Sequence, residues 1–376
     1  MNSLRPTWAE IDLNAIAHNI KQLRRLTKAS TKFMAILKAN AYGHGILEVA
    51  QVCVDQGVEF LGVALLDEAL HLHESGIKTP VLILGYTPPS GLDAVVQYAF
   101  RQTIFDLASA ELLSEAAVKR GKKAFVHIKV DTGMSRTGFF TDQEAVQTVT
   151  RICGLPGLTV EGIFTHLATA DSPEQTFAKL QLQRFSEFLQ ALKSSGIEIP
   201  IRHAANSAGI AYYPEAHYDL VRAGINLYGL KSSLERESDL LLIPAMRLKS
   251  RVVMVKEVPE STMVSYGCTY VTSRPTRIAT VPIGYGDGYI RAYSNRAWAM
   301  VRGKRVPLIG RVCMDYCMFD VTAVDDIQVG DEVILFGRPE DQVTADELAE
   351  IIGTINYEVV CLLNSRVPRV YVNDKP

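Results

Sequence analysis

The 376-residue sequence predicts an α/β protein, a (β/α)8 TIM barrel followed by a smaller, mostly β C-terminal domain. Three observations carry that expectation. From about residue 30 to 235, short β-branched or apolar runs alternate with longer amphipathic segments, as parallel strands joined by helices require. Near Pro244 the alternation stops and strand-like runs follow one another across Gly, Pro and Asp-Asp turns. Apolar residues make up 48% of the chain against 21% charged, enough to fill one large core and one smaller one at this length.

Eight runs in the first part read as strands: Lys32–Lys38, Phe60–Leu65, Val81–Tyr86, Gln102–Asp106, Ala124–Asp131, Leu158–Leu167, Ile199–Asn206 and Leu220–Leu227. Amphipathic segments such as Ser109–Arg120 and Pro173–Ser195 separate them, and Gly76, Gly121 and Gly196 stand where helices end. Eight strands in alternation favour a closed barrel; an open doubly wound sheet shares the same pattern and is the alternative. In the second part, strands are expected at Ala245–Val258, Arg277–Pro282, Trp298–Leu308, Val312–Val321 and Glu332–Phe336. One helix is expected at Thr344–Ile352, with Thr344 as its N-cap and Glu347 three residues on. The division is thus 1–243 and 244–376, and with no Gly/Ser-rich linker the two parts should pack rigidly.

Several function classes fall away. A net charge of −2 gives no attraction to nucleic acid or an anionic membrane. No window approaches the ~20 apolar residues of a membrane span, and the N-terminal MNSLRPTWAEIDLNAI lacks the apolar stretch of a signal peptide. The six cysteines show no CxxC or metal-type spacing, and Cys313 and Cys317 read as packed thiols. A cytoplasmic protein with reduced thiols is expected. No metal motif or P-loop is present, GYGDG at Gly284–Gly288 precedes no helix, and His71 and His73 read as surface positions on a helix.

In a barrel of this kind, chemistry collects at the C-terminal ends of the strands. Polar residues interrupt the apolar runs at those ends: Lys38 after the first, Arg136 beyond the fifth, His166 near the end of the sixth, Asn206 and Ser207 at the seventh, and Arg222 within the eighth with Gly224 beyond it. Five ends sharing one rim suggest a site. Lys38 is the sharpest case. Directly after FMAIL, a lysine is expensive to keep charged, and by position alone it would snorkel to solvent. Its sequel, Lys38-Ala39-Asn40-Ala41-Tyr42-Gly43-His44-Gly45, offers two glycines for close backbone approach and an aromatic hydroxyl. A desolvated lysine is a Schiff-base former, and pyridoxal phosphate is its common aldehyde partner.

The run AILKANAYGHG resembles the cofactor-binding signature of alanine racemases. The resemblance continues through DTGMSRTG, FTHLATAD, HAANSAG, VRAGINLYG, VSYGCTY, PIGYGDG and GRVCMDY, in family order, from Met34 to Tyr357. It implies a pyridoxal-phosphate-dependent racemase working as a homodimer that supplies D-alanine, in bacteria for the cell wall. By this likeness Lys38 holds the cofactor and is one of two catalytic bases, and Tyr266, from the partner subunit, is the other. His166 and Arg222 resemble the residues that polarise the tyrosine, and Arg222 the one facing the ring nitrogen. Tyr42, Tyr357, Ser207, Gly224 and Ile225 fall at the phosphate-binding positions, and Asn206 at a cofactor-binding one. Arg136 resembles the residue that binds the substrate carboxylate, and Met314 the partner-subunit residue that contacts the substrate through its backbone. Lys129 matches a lysine that many relatives carry carbamylated. Two bases fit the chemistry, because a single base would return the proton to the face it left.

Other readings predict different features. A racemase for another small amino acid such as serine, or one for lysine, would enlarge the pocket or add a membrane segment or export signal. A decarboxylase on a related barrel is a more distant alternative. A non-catalytic pyridoxal-phosphate carrier would have no C-terminal domain and no VSYGCTY.

Overall fold

The computed structural model describes residues 5–373. The first strand, β1 (Thr7–Asp12), stands apart from the eight that follow: β2 (Lys32–Ile36), β3 (Phe60–Val63), β4 (Val81–Ile83), β5 (Arg101–Ile104), β6 (Ala124–Lys129), β7 (Leu158–Phe164), β8 (Ile201–His203) and β9 (Leu220–Ala223). These eight form one sheet in which β2 through β8 neighbour one another in chain order and β9 returns to pair in parallel with β2. Asp219 N–H donates to Arg202 O and Arg222 N–H to Ala205 O, each at 3.0 Å, bridging β8 to β9. The sheet therefore closes on itself. A doubly wound sheet would reverse its strand order near the middle, and this one does not.

Each barrel strand stops short of the C-terminal end expected for it, and the last residues of each run belong to the βα connections. Lys38, Asp131, His166 and Asn206 lie beyond their strands. The helices are capped as their sequences suggest. Asp106 and Asp142 side chains accept from backbone N–H groups three residues on, and Gly76, Gly121 and Gly196 follow their helices with φ between +63° and +87°.

The second part is built on a six-stranded sheet in the order Lys304–Pro307, Trp298–Val301, Glu332–Phe336, β10 (Met246–Arg251), β1, Arg369–Val372. A unit running 1–243 therefore does not describe the sheets, since β1 belongs to the C-terminal one. The reason is local. In TWAEID, Thr7, Ala9 and Ile11 alternate toward the interior, and β1 pairs antiparallel with β10 on one side and parallel with Arg369–Val372 on the other. The expected strand Ala245–Val258 is broken at Val252–Val253 into β10 and Met254–Val258, which joins a separate three-stranded sheet. The expected strand Trp298–Leu308 is a hairpin, with Arg302 and Gly303 at positive φ in the turn. Of Val312–Val321 only Cys317–Asp320 is strand. Thr344 caps the helix Ala345–Ile352 by accepting from Glu347 N–H at 3.2 Å, and a second helix, Asn356–Cys361, follows. One contiguous apolar core includes side chains from both parts of the chain. Among the described residues, no helix is long and apolar enough to cross a membrane.

The two parts are joined at Asp12. Its side chain accepts from Asn14 N–H at 2.9 Å and Ala15 N–H at 3.2 Å, capping the helix Leu13–Arg25, and also pairs with Arg338 of the C-terminal part. Asp12→Ala removes a cap and strips a carboxylate from a largely buried arginine. The expected loss is about 3 kcal/mol, read as a lower urea midpoint. A midpoint unchanged from wild type would show that Asp12 does not join the two parts.

Candidate active site

Lys38 leaves β2 through an unusual turn. Ala39, Asn40, Ala41 and Tyr42 all adopt left-handed helical angles, with φ from +51° to +54°. For residues with a Cβ this costs about 1–2 kcal/mol each, so the turn exists only because its surroundings enforce it. Glu68 accepts from Ala39 N–H at 2.6 Å and from Ala64 N–H at 2.8 Å. Asn40 Oδ1 accepts from Ile46 N–H at 2.9 Å, and Gly43 O accepts from Arg369 Nε at 2.8 Å. Gly45 faces the Tyr371 hydroxyl so closely that a Cβ there would lie 1.9 Å from it. The strand Arg369–Val372 thus presses on the loop that aims Lys38.

The other rim residues converge on it. Burial, reinforced by the Arg136 guanidinium, holds the Lys38 amine below the usual lysine range. Lys129, only 4% exposed, is brought down to about 7 by burial and by Arg222 and Arg136. Arg222, 3% exposed, is lowered by burial and Arg136 to about 9 and stays charged at neutral pH. The Phe164 ring lies beneath both, 5.0 Å from Lys129 Nζ and 5.2 Å from the Arg222 guanidinium. Arg222 donates to Thr165 O at 2.8 Å, Ala204 O at 2.9 Å, His203 Nδ1 at 2.9 Å and His166 Nδ1 at 3.3 Å. Burial and the neighbouring Arg222 keep His166 neutral, its pKa well below the ordinary value. A rim carrying this much positive charge, with an amine held toward its neutral form, is a place for an anionic carbonyl compound.

Small residues and hydroxyls line the adjoining side. Asn206 caps the helix Ser207–Tyr212 by accepting from Gly209 N–H at 2.9 Å, and Ser207 Oγ accepts from Gly224 N–H at 2.8 Å. A Cβ on Gly224 would lie 3.1 Å from Tyr42 Oη and 3.4 Å from Ser207 Oγ, so a side chain there would crowd both hydroxyls. Ile225 follows it, buried, and the Tyr357 ring lies 6.2 Å from that of Tyr42. Burial raises both phenols above their usual range, so they remain hydroxyl donors.

Tyr266 and Met314 sit elsewhere, 67% and 52% exposed on the C-terminal part. Among the described residues, no hydrogen bond, ion pair or ring contact joins either to Lys38, His166 or Arg222. Their loops touch each other: Ser265 Oγ donates to Arg311 O at 2.6 Å and lies 3.5 Å from Cys313 Sγ. The protomer therefore presents the expected residues as two patches, one at the barrel rim and one on the second part. Among the described residues, no cluster of three metal-ligating side chains occurs.

The chain matches the description "Alanine racemase, N-terminal domain" over residues 11–232 and "Alanine racemase, C-terminal domain" over residues 245–371. It belongs to the alanine racemase family. The alanine racemase of Desulfovibrio desulfuricans is 50% identical over 368 residues, covering 98% of each chain, and that of Methanococcus maripaludis 45% identical over 370 residues, covering 98% of this chain and 99% of the relative. Among solved structures, the Clostridium difficile alanine racemase superposes with a TM-score of 0.95 at 39% identity, over 99% of this chain and 97% of that one. The Bacillus anthracis alanine racemase with bound L-Ala-P gives 0.94 at 35% identity, over 100% and 97%. The racemase fold is therefore shared along essentially the whole chain.

Residue-by-residue reading passed over Glu68, Arg369, Phe164 and His203. Each is an ordinary residue for its element, and only the three-dimensional neighbourhood gives it meaning. His73, expected at the surface, is half-buried against Tyr98, with ring centroids 4.4 Å apart.

His44 yields a pH prediction. Its ring is fully buried, Nδ1 bonds Tyr42 O at 2.9 Å, Nε2 has no partner among the described residues, and burial holds its pKa down to about 4. The unfolded chain takes up this proton near pH 6.5, before the folded one does, so stability falls as pH drops from about 6.5 toward 4. His44→Phe should flatten the urea-midpoint profile over that window by roughly 3 kcal/mol. A variant profile parallel to wild type would contradict this assignment.

Proposed function

We propose that the protein interconverts L- and D-alanine with pyridoxal 5'-phosphate held at the barrel rim, in a cytoplasmic homodimer whose active sites each draw on both subunits. The observation that carries this reading is the convergence of Lys38, Lys129, Arg136 and Arg222 around an amine kept toward its neutral form. The residues present fit the cofactor. Lys38 Nζ is the amine that would hold its aldehyde carbon. The Tyr42 and Tyr357 hydroxyls, the Ser207 hydroxyl and the Gly224 and Ile225 amides would hold its phosphate, with Asn206 fixing the Ser207 turn. Once bound, the cofactor supplies an electron sink for charge left at the substrate Cα.

The chain's own groups do the rest. Among the described residues, no carboxylate is a hydrogen-bond partner of Arg222, so its fixed positive charge, set toward the ring nitrogen, would disfavour a proton there and limit side reactions. Arg136 grips the substrate carboxylate through its planar guanidinium. Lys129, near neutrality, can add carbon dioxide as a carbamate with loss of a proton, which would turn its charge negative beside Arg136. Lys38 Nζ takes the Cα proton of D-alanine on one face. Tyr266 of the partner subunit returns a proton on the other face, and the same two groups exchange roles for L-alanine. His166, accepting at Nδ1 from Arg222, is left with a proton on Nε2 to offer outward. The exposure of Tyr266 and Met314 in the protomer is what a site completed by the partner requires. A simple carrier is disfavoured, since it needs no such second part.

Proton NMR of the cofactor-loaded protein with L-alanine in D₂O, paired with chiral analysis, tests this reading. Deuterium should enter Cα while D-alanine accumulates. Tyr266→Phe should lower turnover about a hundredfold or more, the scale of a lost acid–base group. Full activity of that variant in both directions would sink the two-base mechanism, and absence of exchange in wild type would favour a carrier.

A further inference from the structure

Barrel interiors of this class are filled mainly by branched apolar side chains. Here a polar column runs down one side of the interior, away from the cofactor rim. From Arg222 on β9 the contacts pass to His203 on β8, whose Nε2 lies 2.9 Å from His127 Nδ1 on β6. His127 Nε2 lies 3.4 Å from Glu161 Oε2 on β7. Arg101, the first residue of β5, donates to both Glu161 oxygens, at 3.0 and 3.4 Å. Both ends of the column are thus fixed by charge.

The local sequence is built for it. In the β6–β7 pairing, Val126 opposes Val160 but His127 opposes Gly162, so Glu161 is an extra residue, a β-bulge that aims its carboxylate at the column. Gly162 makes room for the neighbouring ring, since a Cβ there would lie 2.3 Å from His127 Nδ1. Phe164 stacks on His203 at 4.6 Å with an 11° interplanar angle and fixes the plane of that ring.

The ends dictate where the protons lie. A guanidinium can only donate, so His203 Nδ1 must accept and Nε2 must carry the proton. That N–H donates to His127 Nδ1, which leaves His127 with its own proton on Nε2. A carboxylate can only accept, and Glu161 takes that N–H. One tautomer of each ring satisfies every contact, and the reversed set would set N–H against N–H at Arg222. Burial keeps both rings below the ordinary histidine pKa, and the bonds from His127 and Arg101 hold Glu161 near 2 in spite of its burial.

We propose that Glu161 and His127 are positioning residues, which hold His203 in the tautomer that accepts from Arg222 and so fix the guanidinium at the cofactor ring. The proposal rests on the reading of Arg222 as the ring-facing residue. The relay gives Arg222 an orientation anchored to a distant carboxylate while keeping negative charge away from the ring nitrogen.

The test is ¹⁵N NMR of the cofactor-loaded, histidine-labelled protein, with His127 and His203 assigned by loss of their signals in His127→Gln and His203→Gln. Both rings should be neutral, protonated at Nε2 and bare at Nδ1. A proton on Nδ1 of either ring overturns the relay. Glu161→Leu should populate both tautomers of His127 and lower kcat about tenfold or more, the range seen when outer hydrogen-bond partners are removed, with little change in KM. Glu161→Gln, whose amide oxygen can still accept, should keep the wild-type tautomers and most of kcat, and it serves if the leucine variant does not fold. Wild-type tautomers and kcat in Glu161→Leu, or full loss of both in Glu161→Gln, would contradict the proposal. Correct tautomers in a protein that does not racemise alanine would refute the functional reading while leaving the relay standing.

Discussion

Lys129 and Arg222 are buried against one Phe164 ring at one end of the barrel, with Lys38 half-buried on the same rim, and the lost hydration of these three groups and the repulsion they meet from neighbouring guanidinium groups is the constraint that the surrounding structure answers. Two of the three are amines and yield by shifting toward neutrality. Arg222 keeps its charge, and four hydrogen-bond acceptors satisfy it, all of them neutral. The result is an amine held toward its nucleophilic, basic form beside a fixed cation and a second arginine, Arg136. The chemistry of the site is the way this constraint is relieved.

The same constraint explains why the second part of the chain is wrapped so closely around the first. A left-handed turn of four residues after β2 would relax if left alone. It is clamped by Glu68 from the helix that follows β3 and by Arg369 and Tyr371 from the strand that runs parallel to β1. Arg369 also donates to Leu363 O, Asn364 O and Val367 O, so the loop aiming Lys38 is tied to the end of the chain. Meanwhile the linked loops of Tyr266 and Met314 are turned outward. The C-terminal part thus braces one active site and, in the proposed dimer, completes another.

Much of this was legible from sequence. The eight barrel runs each contain one observed strand, because parallel strands buried on both faces are continuous apolar runs that stand out between amphipathic helices. The rim residues were visible as polar interruptions at strand ends, and the family motifs picked out Lys38, Tyr42, Arg136, His166 and Arg222. What sequence reading missed depends on pairing across long distances. β1 looks like any short alternating run, and nothing in TWAEID says that its partners lie some 240 and 360 residues away. The hairpin at Arg302–Gly303 reads as one strand in sequence because its turn is brief. The left-handed turn was hidden since Ala39, Asn40 and Ala41 are not residues that announce positive φ as a group. His127 and His203 stand 76 residues apart on different strand runs, and only the closed barrel brings them within 2.9 Å.

The central claim is that each active site takes Lys38 from one subunit and Tyr266 from the other. Subunit complementation tests it most directly. Lys38→Ala and Tyr266→Phe proteins, each nearly inactive alone, are mixed in equal amounts, allowed to exchange subunits, and assayed for racemisation of alanine, with differently tagged chains reporting heterodimer formation. If the sites are shared, every heterodimer carries one intact site and one doubly damaged site. Random exchange should then restore about a quarter of wild-type activity, as expected for a twofold-symmetric dimer. Heterodimers that form and recover nothing would contradict the account, because both bases would then have to come from the same subunit.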